Sequence, residues 1–477
     1  MVAAAAGASV AFLGLLPLLG LLALGVAVAA FVWPAVTTVA YLGALYANIP
    51  VLASTNYGIP STIAGASIAV LSVPLLASLA RREPPVVTLS LLAFAAYVAA
   101  VLLSAAAARY DTSERVFIVM TEGVLLYMLV TNVVRTPATL RRVIWAMVIA
   151  GGVLGGLTLF QELTDSYDMT FGGLAQVETE GDPEGENAAT LQRAAGPIGE
   201  KNRYAQVLVL AIVPAIWLAL HARSRVSRAA AIGSALLIVV GILLTFSRGA
   251  GVALAILLLA MVALRFLRPR IVLPLIGVMF VVTLIVAPAF ITRVASLGGV
   301  AGLVSDDADD PDGAILGRAT SNLAALNVFL DHPVLGVGPG LYASRYSIPY
   351  ANDLGLRHFD TPRRAHNLYI ETAAETGILG LGSLMAMFGI TGGSLWRLRR
   401  FWSGRNAEFT NLATALLLTL VAYLVTALFL HLAYERYMWL ILALANAAIW
   451  MLWRRKTEDA VVAAPVTPAA LRSRTVG

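Results

Sequence analysis

Cysteine is absent from the 477-residue chain, which excludes disulfides, thiolate metal sites and cysteine nucleophiles. Charge is scarce: 13% of residues are charged, against about 25% in an ordinary soluble domain. The chain has no P-loop, no H-E-x-x-H and no G-x-S-x-G, so ATPase, zincin and elbow-hydrolase chemistry find no support. No repeat of solenoid period is present. No Lys or Arg precedes Arg81, and a secretory leader needs a positive n-region, so residues 9–33 read as a retained span. What fills the space left by charge is apolar: 59% of residues are hydrophobic and the mean hydropathy is +0.82. That balance belongs to an all-α, polytopic membrane protein. The 33 Lys+Arg exceed the 27 Asp+Glu by a formal +6. They sit in short clusters between apolar runs, a positive-inside pattern and not a nucleic-acid surface.

A spanning helix needs about 20 mostly apolar residues. By that measure the spans fall near 9–33, 35–54, 62–80, 86–107, 115–134, 143–160, 204–221, 229–246, 250–265, 271–290, 373–396, 410–430 and 437–453. The second carries Pro50 near its end and is either a span or re-entrant, giving about 12 or 13 spans. The basic clusters at Arg81-Arg82, Arg135 to Arg142, Arg223 to Arg228, Arg265 to Arg270, Arg397 to Arg400 and Arg454 to Lys456 occupy alternate connections. Those connections are expected in the cytoplasm. The organisation is then N-terminal spans over 1–160, an outer loop at 161–203, spans over 204–290, a large outer loop at 291–372, spans over 373–453 and a cytoplasmic, disordered tail at 454–477. Within the larger loop the periodicity predicts an amphipathic helix over Ala319–Leu330, with Leu323, Leu326 and Leu330 on one face, packed as a cap on the membrane.

Four stretches with chemistry in them are expected at the outer surface. Arg193 to Tyr204 brings Arg193, Lys201 and Arg203 to the start of a span, as an interfacial anchor or as anion ligands. Thr245-Phe-Ser-Arg-Gly249 joins two apolar segments almost without a loop, and Arg248 is the one charge between Arg228 and Arg265. An arginine placed against the positive-inside bias needs an anionic partner, either a bound ligand or a loop carboxylate. Gly317-Arg318 and His332-Pro-Val-Leu-Gly-Val-Gly338 flank the amphipathic helix. The glycines imply a tight turn with close backbone approach, in which His332 reads better as a turn residue than as a catalyst. In Arg363-Arg-Ala-His-Asn-Leu-Tyr-Ile-Glu371, His366 stands where the loop becomes a spanning helix. The helix N-terminus, Arg363 and Arg364 disfavour imidazolium there, leaving a neutral base that Asn367 or Glu371 orients. A structural histidine is the plainer alternative. Glu435–Arg436 reads as an ordinary surface pair. The acidic run Asp306, Asp307, Asp309, Asp310 and Asp312 contains D-x-D but fails as a calcium loop, since Pro311 and Arg318 fall where ligands are needed. It reads as a solvated loop, and no metal site is assigned.

The order of motifs carries more than any one of them. S-R-G at Ser247–Gly249, H-P-x-x-G-x-G at His332–Gly338, H-N-x-Y-x-E-x-x-x-E-x-G at His366–Gly377 and H…R-Y-x-W at His431–Trp439 resemble the bacterial O-antigen ligase and O-antigen polymerase superfamily. The resemblance covers most of the chain from about residue 190 onward, and the earlier spans show only generic hydrophobicity. It implies a GT-C-like helical fold in the bacterial inner membrane, with the active site on the extracytoplasmic face. It implies a metal-independent, inverting transfer of a glycan from undecaprenyl diphosphate, with no cofactor, to lipid A core, a growing glycan or a protein hydroxyl. Carried onto matching positions, His366 is the base, and Arg248 and Arg318 hold the diphosphate. Arg193, Arg203, Arg363 and Arg364 are further candidates. A transporter or flippase is the reading from a different class, and it would be expected to place ionisable groups near the bilayer midplane.

Overall fold

A computed structural model describes residues 25–112, 114–180, 191–272, 274, 276–277, 313–431 and 435–463. Most of the first expected span, most of the span at 271–290 and the acidic run at 306–312 lie outside the described residues.

The helices follow in chain order as α1 (Pro34–Tyr46), α2 (Ile49–Tyr57), α3 (Ser61–Ala80), α4 (Ser90–Ala107), α5 (Glu114–Val133) and α6 (Pro137–Thr164). After a hairpin of β1 (Gln176–Glu180) and β2 (Leu191–Gly196) come α7 (Lys201–Leu220), α8 (Arg225–Leu244), α9 (Arg248–Ala263), α10 (Gly313–Asp331), α11 (Ser347–Asp353), α12 (Leu368–Trp402), α13 (Ala407–Thr426) and α14 (Arg436–Ala463). Among the described residues nine helices are long and apolar enough to cross a membrane. The all-α, polytopic expectation holds, with the small antiparallel hairpin as its one addition among the described residues.

Not every expected span is one helix. The second breaks at Asn48, whose left-handed φ of 62° separates α1 from α2 and whose side chain donates to Pro197 O at 2.7 Å. The 13 residues of α1 reach about 20 Å, short of a bilayer core. The 16-residue α9 is also short, at about 24 Å. The expected disordered tail begins as helix instead: α14 runs on to Ala463, with Glu458 paired to Arg454 and Arg455 at 3.3 Å each. Same-face pairs of this kind sustain an exposed helix.

Hydropathy finds the spans but not their depth in the bundle. The apolar window of α14 is 83% buried and that of α7 78%, so these two are its interior. Close approach elsewhere needs small residues. A Cβ on Gly155 of α6 would meet Leu237 O at 2.2 Å, and one on Gly241 of α8 would meet the Gly155 Cα at 2.9 Å.

Contacts between the basic connections gather several of them at one end. Arg141 there pairs with Glu408 and donates to His221 O, and Arg399 donates to Leu264 O at 2.7 Å. The hairpin, the start of α9, α10, α11 and the start of α12 share the opposite end. On α10 the expected stripe of Leu323, Leu326 and Leu330 points outward, and the packed face is Thr320, Ser321, Ala324, Ala325 and Val328. Small side chains are what let α10 lie against Ala374, Tyr342 and Ala351.

The H-P-x-x-G-x-G loop is built into a break in α12. At Gly377 (φ 63°, ψ −166°) the helix is interrupted, and Ala374 O and Glu375 O lose the amides that would bond them. Val337 N and Gly338 N take their place at 3.0 and 2.9 Å, while Ile378 N and Leu379 N donate to Pro333 O and Val334 O at 2.8 and 3.5 Å. Neither chain has room for a Cβ: one on Gly377 would sit 2.1 Å from Val334 O, one on Gly336 2.4 Å from the Glu375 carbonyl carbon. His332 is the turn residue expected, its carbonyl accepting Gly336 N–H at 3.0 Å. Gly377→Ala and Gly336→Ala are each expected to cost about 2–4 kcal/mol. Thermal unfolding in detergent measures this, and an unchanged midpoint would contradict the interlock.

Candidate active site

The crevice at the loop-bearing end is assembled from the starts of α7 and α9 and the end of α13, with Arg318 of α10 beside them. Glu200 caps α7, accepting Asn202 N and Arg203 N at 2.9 and 2.8 Å. Ser247 caps α9, accepting Ala250 N at 3.4 Å while its hydroxyl donates to Asn202 Oδ1 at 2.9 Å. Gly249 lets the start of α9 close on Phe429, since a Cβ there would stand 2.9 Å from its ring. Gln206 donates to Thr426 Oγ1 at 3.0 Å across the floor. Asn202, Gln206, Ser247, Gly249, Thr426 and Phe429 line a small, open pocket with Arg318, Ala250 and Leu430. Arg248, partly exposed, stands between the lining residues Ser247 and Gly249. The dipole of α9 adds positive potential at the same place.

His366 lies beside this pocket. Leu368 N donates to Ala427 O at 2.9 Å, which ties the start of α12 to the α13 end lining the pocket. The backbone of His366 is left-handed (φ 53°), a conformation uncommon for a side chain with a Cβ. Bonds on both sides fix it. Ala365 N donates to Glu371 Oε2 at 2.9 Å, and Asn367 caps α12 by accepting Tyr369 N and Ile370 N at 3.0 and 3.3 Å. The ring is open to solvent yet set among dense surroundings, as in a crevice. That burial, foremost, and then the Arg318 guanidinium hold the imidazole below its ordinary range, with His431 adding to them and Glu371 and Glu200 opposing. The neutral form expected from sequence therefore has burial and Arg318 as its named causes, in place of Arg363 and Arg364.

Glu371 is fully buried and meets three partners. Besides Ala365 N, Arg364 Nη1 lies 3.3 Å from Oε1 and His431 Nδ1 3.0 Å from it. The His431 contact is off the hydrogen-bond line and acts as a close electrostatic one. Glu375 is equally buried and accepts the Gly340 N–H, so it anchors the glycine loop. Glu371 is read from sequence as a possible orienter of His366, while Glu375 stands out only as part of the E-x-x-x-E motif.

The remaining candidates separate into two groups. Arg363, together with Arg357, which sequence reasoning missed, reaches the turn of α10 that carries Arg318: a Cβ on Gly317 would lie 3.0 Å from Arg357 Nη1 and 3.7 Å from Arg363 Nη1. Arg363 also stacks on Phe359 at 4.8 Å. Arg193 and Arg203 hold structure instead. Arg193 is buried on β2 and donates to Thr245 O and Phe246 O at 3.0 and 2.9 Å, closing the end of α8 just before Ser-Arg-Gly. Arg203 pairs with Glu435 at 2.6 Å, so Glu435 faces Arg203 and not Arg436 as expected. Lys201 pairs with Glu178 at 2.9 Å, binding α7 to the hairpin. Arg193→Met is expected to destabilise by about 2–4 kcal/mol, because two buried carbonyls lose charged donors. Arg193→Lys should not restore it, since one ammonium cannot reproduce the fork. A lysine variant as stable as wild type would remove the clamp.

No curated protein matches the chain. Residues 233–385 match the family model described as O-antigen ligase. That segment runs from α8 through Ser247–Gly249, Arg318, the glycine loop and His366 into α12. The resemblance read from the motifs thus holds where the crevice is built, since residues 233–385 are similar to the O-antigen ligase family there.

Proposed function

We propose that the chain is a membrane glycosyltransferase that moves a glycan from undecaprenyl diphosphate to an acceptor hydroxyl, most simply as an O-antigen ligase. The observation that carries this reading is an accessible histidine, its imidazole held low by burial and by Arg318, where Arg318 itself lines a pocket together with Ser247 and Gly249 on either side of Arg248. His366 takes the proton of the acceptor hydroxyl. The oxygen attacks the anomeric carbon from the face opposite the carrier, so configuration inverts. The bond from that carbon to the diphosphate breaks, and its electron pair leaves with the phosphate oxygen. Arg248 and Arg318 bind that diphosphate and stabilise the charge it gains, which is the role preorganised cations play best in a water-poor crevice. Two fixed cations suffice for this, so no metal is required. The basic clusters at the other end of the bundle support, by the positive-inside rule, a crevice on the extracytoplasmic side. Charges at the surface, away from the midplane, favour transfer over transport.

Release of undecaprenyl diphosphate by purified protein, with a lipid-linked glycan and lipid A core, glycan or peptide acceptors, tests the reading and names the acceptor. His366→Ala should lower turnover about 10²–10⁴-fold, and Arg248→Ala about 10²–10³-fold. Chelators should leave the rate unchanged. Normal turnover in His366→Ala would refute the base. The pH profile offers a second check. A lowered imidazole stays neutral as pH falls, so the acid limb should lie below 6.5, the ordinary imidazole value. Arg318→Ala removes a neighbouring cation, raises the imidazole and should move that limb to higher pH. An unmoved limb would separate Arg318 from His366.

A further inference from the structure

Beyond the crevice, the same end of the molecule carries a partly exposed group of aromatic rings. Tyr346 ends a five-residue π-helical turn, Tyr342–Tyr346, a wide turn found mostly at functional positions. Tyr342 begins it, fully buried, and donates to Ser321 O at 2.7 Å, which pins the turn to α10 within one helical turn of Arg318. Tyr346 remains partly exposed, and its ring meets three others: Tyr110 at 6.1 Å, Tyr350 at 6.2 Å and His332 at 6.2 Å. Tyr110 is 40% exposed. Charged groups stand at the rim. Arg345 lies 5.3 Å from the Tyr110 ring, and Asp331 accepts the Tyr350 hydroxyl at 2.7 Å. The next residue after Tyr346, Ser347, accepts Arg363 N–H at 3.1 Å, so the patch abuts the Arg363–His366 segment directly.

A core cluster would bury these rings, and a lipid-facing one would not carry Arg345, Asp331 and His332 among them. A pyranose has the complementary surface: one face of C–H groups that packs on an aromatic ring, and an edge of hydroxyls that bond to guanidinium, carboxylate and phenol. Such amphipathic rings serve where one side of a ligand is apolar and the other wet.

We propose that Tyr110, Tyr346 and Tyr350, with Arg345 and Asp331 at their edge, form a carbohydrate subsite that seats a pyranose ring of the glycan next to the reacting crevice. Its place in the reaction rests on the glycosyl-transfer reading; the binding does not.

Saturation-transfer NMR on the full chain in nanodiscs, with a panel of neutral oligosaccharides of glucose, galactose and rhamnose, tests the binding directly. At least one should receive saturation at the C–H protons of one ring face. Tyr346→Leu, which keeps bulk without a ring, should lose that signal, and Tyr346→Phe should keep it. No transfer to any probe, or equal transfer in Tyr346→Leu, would overturn the proposal. Kinetics then place the ring: Tyr346→Leu should raise KM about tenfold for the lipid-linked donor if the donor glycan lies there, or for the acceptor sugar if that does. Both values unchanged would overturn the subsite's part in transfer. Binding with no turnover in wild type would count against the transfer reading alone and leave the subsite supported.

Discussion

A long helix normally bonds its own carbonyls, and α12 gives up two of these bonds at Gly377. The glycine loop supplies replacements in both directions, so four backbone bonds cross between segments some forty residues apart in the chain. The exchange places the α10 and α12 parts of the crevice. It sets α10 and Arg318 against α12, and it fixes the depth at which Glu371 and Glu375 enter the interior. Ser104 of α4 adds a further bond to Glu375 O at 2.7 Å, tying an early span to the same break. A backbone exchange of this kind is rigid in a way that side-chain packing is not, because one Cβ on either glycine removes it.

The buried carboxylates then convert that rigidity into the position of His366. A fully buried charge is costly unless paired and bonded, and removing one partner of such a group typically costs about 3–5 kcal/mol. Glu371 meets the requirement with Arg364, Ala365 N–H and His431. Two of these partners belong to the segment that ends in His366, so the carboxylate holds the left-handed backbone there. The third comes from beyond α13, which brings the terminal H…R-Y-x-W motif into contact with the H-N motif. Arg193 does the corresponding work across the crevice by closing the end of α8 before Ser-Arg-Gly. The charged residues of the site thus divide by burial. Those that face inward carry backbone, and the partly exposed Arg248, Arg318 and His366 surround the opening.

Much of this is legible in the sequence, and the parts that are not share a cause. Apolar length locates the spans, because the bilayer sets a minimum that composition reveals directly. The glycines of His332–Gly338 announce close backbone approach, though not that the partner is the break at Gly377, since nothing local to residue 336 points to residue 377. Asn367 is a helix cap and not the orienter of His366; an N-cap and a catalytic neighbour use the same residue type at the same place. The periodicity places Leu323, Leu326 and Leu330 on one face of α10 but does not say which way it points; they face out, because close packing on α12 selects the alanine and serine face. Arg193, Arg203 and Glu435 find their partners through contacts about 50 to 230 residues distant, which no sequence window reaches.

The most direct measurement is a structure of the full chain in a lipid nanodisc with an undecaprenyl-diphosphate-linked glycan bound to the inactive His366→Ala variant. The account predicts the diphosphate between Arg248 and Arg318, with the anomeric carbon of the first sugar facing position 366. Diphosphate held elsewhere, at the bundle midplane or at the end bearing the basic clusters, would contradict it.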